Sequence, residues 1–318
     1  MKKVGVDFIK GHMGGNEIIL LNGHQIPEGQ ERERSAVALN PPSIRGHQAG
    51  ILYKEESGIR AKVVSVTGLD FISMCGGLTQ VLGKALEQGN FANIYEITTQ
   101  EPTTDVTLFT DAGPIYLTLH IKDGQVAKTE TEMNSFLQES YQKGVRPIEV
   151  AGVPAYKVGE ALCSELDDIK DRFPSVDFEE LGTEAYSVFE KIQNNFVERF
   201  FPESGIKGKT QGKTFAIYDS HPERSGDIRV IFPHDVSTGH IEPSCGTGTS
   251  VVGITMCERD QIPPEGEVEL FAESGGDINH IGGPERTMLH MEMKDGKVES
   301  ISFNHSLVEL LAQGTLWV

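Results

Sequence analysis

Residues 242–253 read EPSCGTGTSVVG: a cysteine follows a proline-containing turn, precedes small residues, and leads into β-branched apolar positions. An earlier stretch, residues 73–86, has the same grammar. In SMCGGLTQVLGKAL the cysteine precedes two glycines, and apolar residues then recur at Leu78, Val81, Leu82, Ala85 and Leu86 with helical spacing. Each segment therefore predicts a helix that starts at a thiol, one at Cys75 and one at Cys245. Two such starts in one chain suggest a pair, and a pair suggests a duplicated unit.

Working outward from the two cysteines, the chain reads as short strands broken by turns. The first series is EIILLNG (17–23), GILYKE (50–55), RAKVVSV (60–66), ANIYEITT (92–99), TDVTLFT (104–110) and IYLTLHIKDGQVAKTETEM (115–133). A second series follows with PIEVAGVPAYKV (147–158), KTFAIYDS (213–220), GDIRVIFP (226–233), GEVELFAES (266–274) and TMLHMEMKDGKVESISF (287–303). Asp123-Gly124 and Asp295-Gly296 each mark a hairpin, because Asp-Gly suits the positive φ angles of a type I′ turn. Helices are fewer: 79–89, closed by Gly89; 248–260; ALCSELDDIKDRFP (161–174), closed by Pro174; and TEAYSVFEKIQNNFVERF (183–200). The boundary between the halves is placed at the turn KGVRPIE, giving domains 1–147 and 148–303. The tail 304–318 is expected to return and pack on the first half.

At 318 residues the chain can hold two domains of about 150 residues. Its four cysteines lack C-x-x-C spacing, which argues against both a disulfide framework and a zinc site. Cys163 and Cys257 are read as small buried hydrophobes. The N-terminal apolar run is broken by Asp7, Lys10 and His12, and nothing approaches the roughly 18 apolar residues of a membrane span. The expected location is the cytoplasm. A net charge of −19, from 28 basic and 47 acidic residues, disfavours nucleic acid and anionic membranes as partners. His221, His234 and His240 show no metal-ligand spacing, and GHMGGN lacks the strand–helix context of a nucleotide loop. His12, His47 and Gln48 sit beside apolar runs and are read first as structural or exposed.

A thiol at the first turn of a helix lies among backbone N–H groups that have no intrahelical partner, where the helix dipole favours an anion. Such a cysteine can shuttle between thiol and thiolate near neutral pH. The glycines let backbone approach a ligand closely, and the N–H groups of Gly76, Gly77, Gly246 and Thr247 form candidate sites for a carboxylate. With a sulfur on either side of the adjacent carbon, one thiolate can remove a proton while the other thiol delivers one to the opposite face. The product is the mirror configuration, and no metal or cofactor is required.

These motifs resemble those of the cofactor-independent racemases and epimerases that include diaminopimelate epimerase and proline racemase. FIKGHMGGNEIILLNG (8–23), IRGHQAGILYKE (44–55) and VTGLDFISMCGG (66–77) resemble successive segments of the epimerases, and residues 226–276 look closer to proline racemase. The resemblance implies an α+β fold of two pseudo-symmetric domains, each a β-barrel-like mixed sheet around a central helix, and a homodimer. It places Asn16 and Asn195 as substrate contacts, the latter on an Asn-Phe strand within NNFVERF. It also makes Glu242 a candidate for a substrate ammonium, as an alternative to a solvated loop acid. Departures bear on the substrate. Gly77 stands where those families carry Asn or His; Val236 and Ser237 replace a Glu-Arg pair; Ile241 replaces an Asp; and Gly152-Val153-Pro154-Ala155 replaces Gly-Asn-Pro-His.

The leading expectation is a PLP-independent amino-acid racemase or epimerase that uses Cys75 and Cys245, on a substrate that is neither diaminopimelate nor proline. A proton-shifting isomerase acting on an unsaturated or hydroxylated carboxylic acid is one rival. A non-catalytic carboxylate-binding protein is another.

Overall fold

The computed structural model describes residues 3–66, 69–179, 181–202, 213–222, 226–233, 242, 244–275 and 286–318. The chain divides into two compact units, Met1–Ser135 with Phe303–Val318, and Phe136–Ser302. Both are α+β, with mixed parallel and antiparallel strand pairing.

The first unit opens with β1 (Gly5–Met13) and β2 (Asn16–Asn22), joined by a turn at Gly14 and Gly15, both at positive φ. Helix α1 (Glu31–Leu39) then leads to β3 (Gln48–Glu55), parallel to β2, and to β4 (Gly58–Ser65) and the short β5 (Phe71–Ile72). After the cysteine come α2 (Gly76–Ala85) and α3 (Gly89–Ile94). The meander β6 (Thr103–Thr110), β7 (Gly113–Lys122) and β8 (Gln125–Glu132) follows, with Asp123 and Gly124 at the positive φ angles that the Asp-Gly turn requires.

Strand β2 shows why its sequence is a continuous apolar run rather than an alternating one. Ile18 and Leu20 join the core around α2, whereas Ile19 and Leu21 join a second core with Ala38 and Leu39 of α1. Both faces of the strand are covered, so period-2 alternation of polarity disappears. Helix α2 packs against β1, β2, β7 and β8 of its own unit and is buried on nearly all sides.

The second unit begins with α4 (Asn134–Lys143), whose first two residues belong to the first unit, and continues through the hairpin β9 (Val145–Val150) and β10 (Val153–Val158). Then come β11 (Ala161–Glu165), α5 (Leu166–Arg172), α6 (Thr183–Phe200), β12 (Phe215–Asp219) and β13 (Ile228–Ile231). Helix α7 (Gly246–Glu258), β14 (Gly266–Ser274), β15 (Arg286–Lys294) and β16 (Lys297–His305) complete the run. Ala185, Phe189, Ile192 and Phe196 of α6 pack on Leu162, Phe215 and Ile217, while α7 packs against β10, β11, β12 and β15. The chain ends in β17 (Val308–Trp317), antiparallel to β1 in the first unit.

Four local expectations are corrected. ANIYEITT is not a strand: Ala92, Asn93 and Ile94 lie in α3, and Phe91, Ala92 and Tyr95 share a buried helical face. Gly89 does not cap α2, which closes at Leu86; it opens α3. ALCSELDDIKDR splits into β11 and α5, because Ala161–Glu165 is buried on both faces and pairs in parallel with β12. Finally, NNFVERF is helical, the last two turns of α6, so Asn195 is not on a strand.

Candidate active site

Each cysteine is the N-cap of its helix, in extended backbone conformation. Cys75 has φ −146° and ψ 120°, and its Sγ accepts the N–H of Leu78 at 3.4 Å. Cys245 has φ −140° and ψ 109°, and its Sγ accepts the N–H of Gly248 at 3.3 Å. Sulfur thus fills the role that Ser or Asp oxygen usually takes at this position, bonding the N–H three residues on. A thiolate accepts that bond better than a thiol, and the dipole acts in the same sense. Both residues are close to buried, with Cys75 8% and Cys245 9% exposed.

The other two cysteines differ. Cys163 is completely buried, and loss of hydration pushes its thiol up to about 12. Burial, reinforced by the charge of Glu258, also raises Cys257. Neither is suited to give up a proton near neutral pH.

In the first unit the polar groups gather at the start of α2. Gln48, the first residue of β3, receives the Cys75 thiol on its Oε1 at 3.9 Å. Asn16, the first residue of β2, is fully buried; its Nδ2 lies 3.3 Å from where a Cβ on Gly77 would sit. His47 Nδ1 accepts the Glu17 N–H at 3.1 Å and lies 3.3 Å from Asn16 Oδ1. Asn16, Gly76, Gly77 and Cys75 are therefore neighbours. Gln48 and His47 join them, although a sequence reading gives no reason to lift either out of its apolar surroundings.

In the second unit, Gly246 is buried and Thr247 half-buried at the start of α7. Gly248 is needed where it stands, since a Cβ there would lie 2.4 Å from the ring of Phe232. Glu242 is 8% exposed, not a solvated loop acid, and its backbone N–H bonds the carbonyl of Phe232 at 3.1 Å. Asn195 is placed elsewhere: from α6 its Oδ1 accepts the Ala151 N–H at 3.1 Å, capping the β9–β10 turn in which Ala151 and Gly152 have positive φ. His234, Val236, Ser237, His240 and Ile241 lie outside the described residues. Among the described residues no three His, Cys, Asp or Glu side chains group as metal ligands, and no helix is long and apolar enough to cross a membrane.

Similar solved structures share this arrangement of elements. A hydroxyproline epimerase from Agrobacterium vitis, with bound trans-4-hydroxy-L-proline, superposes with a TM-score of 0.67 at 14% identity, over 99% of this chain and 93% of that one. The chain has the fold of the proline racemase and diaminopimelate epimerase superfamily. Two further structures of the superfamily fold agree. A probable proline racemase from Agrobacterium radiobacter gives a TM-score of 0.62 at 13% identity over 98% and 92% of the two chains, and a methylitaconate-delta-isomerase gives 0.61 at 12% over 100% and 96%. By sequence, no family model and no curated protein matches the chain. Each of the two units of this chain carries one cysteine-capped helix.

Proposed function

We propose that this protein is a cofactor-independent isomerase that inverts the α-carbon of an amino acid, with Cys75 and Cys245 as the two bases. One observation carries the reading: two thiols occupy the same backbone position, each capping a helix and each accepting the N–H three residues on. In the reaction one thiolate takes the α-proton, and the other thiol delivers its proton to the opposite face of the same carbon. The two cysteines end with their protonation states exchanged. Backbone N–H groups of Gly76, Gly77, Gly246 and Thr247 would hold the carboxylate and stabilise the enediolate that develops in the transition state. Asn16 and Glu242 are the side chains proposed to orient the substrate, and Glu242 suits an ammonium. Asn195 is the remaining candidate contact, from α6. A homodimer is part of the same proposal, measurable by sedimentation.

A second reading has an observation of its own in the methylitaconate-delta-isomerase neighbour, which fits this chain nearly as well as the racemases do. On that reading the same thiols shift a proton within an unsaturated acid.

The test is proton NMR of amino acids and unsaturated acids incubated with reduced enzyme in D2O. Loss of one α-proton signal, abolished in Cys75→Ser and in Cys245→Ser, is the expected result. Exchange confined to an unsaturated acid would select the second reading. Ligand-induced thermal stabilisation without exchange in any acid would reduce the protein to a binder.

A further inference from the structure

Beneath α2 runs a chain of hydrogen bonds whose direction is fixed by counting protons. Thr79 donates its single hydroxyl proton to the Gly76 carbonyl at 2.7 Å. Its contact with Thr131 at 2.8 Å must then be donated by Thr131. Thr131 in turn accepts Gln80 Nε2 at 2.9 Å, and Gln80 Oε1 accepts the backbone N–H of His305 at 3.2 Å. Thr79, Gln80 and Thr131 are fully buried, and His305 nearly so. Every donor in the series points the same way, toward one acceptor.

That acceptor is the carbonyl of the Gly76–Gly77 peptide. The N–H of the same peptide, on Gly77, is among the groups at the helix start that have no intrahelical acceptor. Donation to an amide carbonyl strengthens the donor power of its own N–H, and bonds in series polarise one another. Among the described residues the second unit shows no such series. Gly246 and Cys245 carbonyls accept Ser250 Oγ at 3.0 Å and Thr249 Oγ1 at 2.9 Å, hydroxyls of α7 itself. Among the described residues no bond carries on from either hydroxyl into a neighbouring strand.

We propose that Thr131 and Gln80 are positioning residues that fix and polarise the Gly76–Gly77 peptide, making the start of α2 the stronger carboxylate-binding end of the pair. This rests on the reading of that helix start as a carboxylate site, and it identifies which residues tune it. No contact between Thr131 or Gln80 and the substrate is involved.

Alkylation measures the effect without knowledge of the substrate. Iodoacetate must settle its carboxylate beside the thiol, whereas iodoacetamide carries no charge, so the ratio of their rates at Cys75 reports the anion-holding N–H groups. Rates are resolved for each cysteine by peptide mass spectrometry on the full-length reduced protein. Thr131→Val is expected to lower the ratio at Cys75 by roughly three- to ten-fold, the worth of one buried hydrogen bond, and to leave the ratio at Cys245 unchanged. Thr131→Ser should keep it, and Gln80→Met should lower it by a smaller factor. A folded Thr131→Val protein with an unchanged ratio overturns the proposal, as does an equal fall at both cysteines. If Thr131→Val fails to fold, Gln80→Met decides by the same criterion. Failure of the isomerase reading looks different: no acid exchanges protons in D2O, while the ratio still responds.

Discussion

Helices α2 and α7 start alike and are held differently. Both are capped by a cysteine, and both are buried on nearly every side. Yet α2 is bolted to neighbouring backbone and strands through polar side chains, Thr79 and Gln80 reaching Thr131 and His305, with Lys84 bonding the Val126 carbonyl at 3.1 Å. Along α7 the hydroxyls of Thr249, Ser250 and Thr255 turn back onto the helix's own carbonyls, and its polar contacts with neighbouring elements come later in the helix, where Thr255 meets Cys163 of β11 and Cys257 donates its thiol to the Gly296 carbonyl at 3.3 Å. A charged anchor lies at the far end, where Arg259 meets Glu165 at 2.8 Å and Asp168 at 2.7 Å. Directional bonds fix rotation and register, whereas apolar contacts fix mainly separation. Near its start α2 is therefore held in rotation and register by directional bonds to strand β8 and to the His305 backbone.

The largest expected effect tests whether the likeness of the two starts is functional. Cys75→Ser and Cys245→Ser should each cut α-proton exchange by roughly 10²- to 10⁴-fold, the usual worth of a positioned acid or base. Full activity in either variant would break the pairing at its root. Cys163→Ser and Cys257→Ser serve as controls and should retain turnover, since burial holds both thiols in the neutral form.

The next effect concerns pH and should separate the units. His305 is buried in the first unit, and loss of hydration lowers its pKa from 6.5 to about 4. Between those values the unfolded chain binds a proton that the folded chain refuses. Stability is therefore complete above pH 6.5 and falls as pH drops toward 4, by about 3 kcal/mol if the whole shift is realised. The described histidines of the second unit lack this environment: His221 is exposed, and His290 is partnered by Glu269 at 3.0 Å. Hydrogen exchange at pH 4.5 should show the loss first in the first unit, and His305→Gln should flatten the difference. Equal loss in both units would mean that carboxylates, not His305, govern the acid limb.

Much of the fold follows from local chemistry that a sequence displays. The Asp-Gly turns, the strand run at Ile18–Leu21 and both cysteine-capped helix starts are decided by residues within one or two turns of chain. What is not legible is decided at long range. Ala161–Glu165 has good helix formers, but pairing with β12 overrides propensity. The polar helix α1 has too few apolar residues to announce itself, and is held by Ala38 and Leu39 packing under β2 and β3. Gln48 reaches Cys75 across 27 positions, and Gln80 reaches His305 across 225. No spacing rule connects such partners.

Two glycine substitutions then compare how tightly the helices are packed. A Cβ on Gly83 of α2 would lie 2.1 Å from Thr129 Oγ1 of β8, and one on Gly248 of α7 would lie 2.4 Å from the ring of Phe232. Overpacking of this kind costs about 1–3 kcal/mol. Gly83→Ala is not relieved by rotation, since Thr129 Cβ itself would lie 2.9 Å away, but a small shift of β8 carries so small a side chain clear, whereas Gly248→Ala meets the larger buried ring of Phe232 beside the cysteine. Urea unfolding should therefore rank Gly248→Ala as the more destabilising, and the reverse order would mean that the polar bolting of α2 leaves it less room to adjust.

The smallest effect sharpens what the second unit contributes to binding. Asn195 holds the Ala151 N–H at the β9–β10 turn, and Asn195→Ala should cost about 1 kcal/mol through that bond alone. If the turn is its whole role, kcat/KM for the exchanged acid stays within about two-fold and only the unfolding midpoint moves. If α6 also delivers Asn195 to the substrate, KM rises while the turn's loss is unchanged, because the two contacts use different atoms of the amide. Asn195→Asp separates them further: its carboxylate can still accept the Ala151 N–H but can no longer donate to a ligand. Normal stability with a raised KM would assign the second unit a side-chain contact from α6, in addition to the backbone N–H groups of α7.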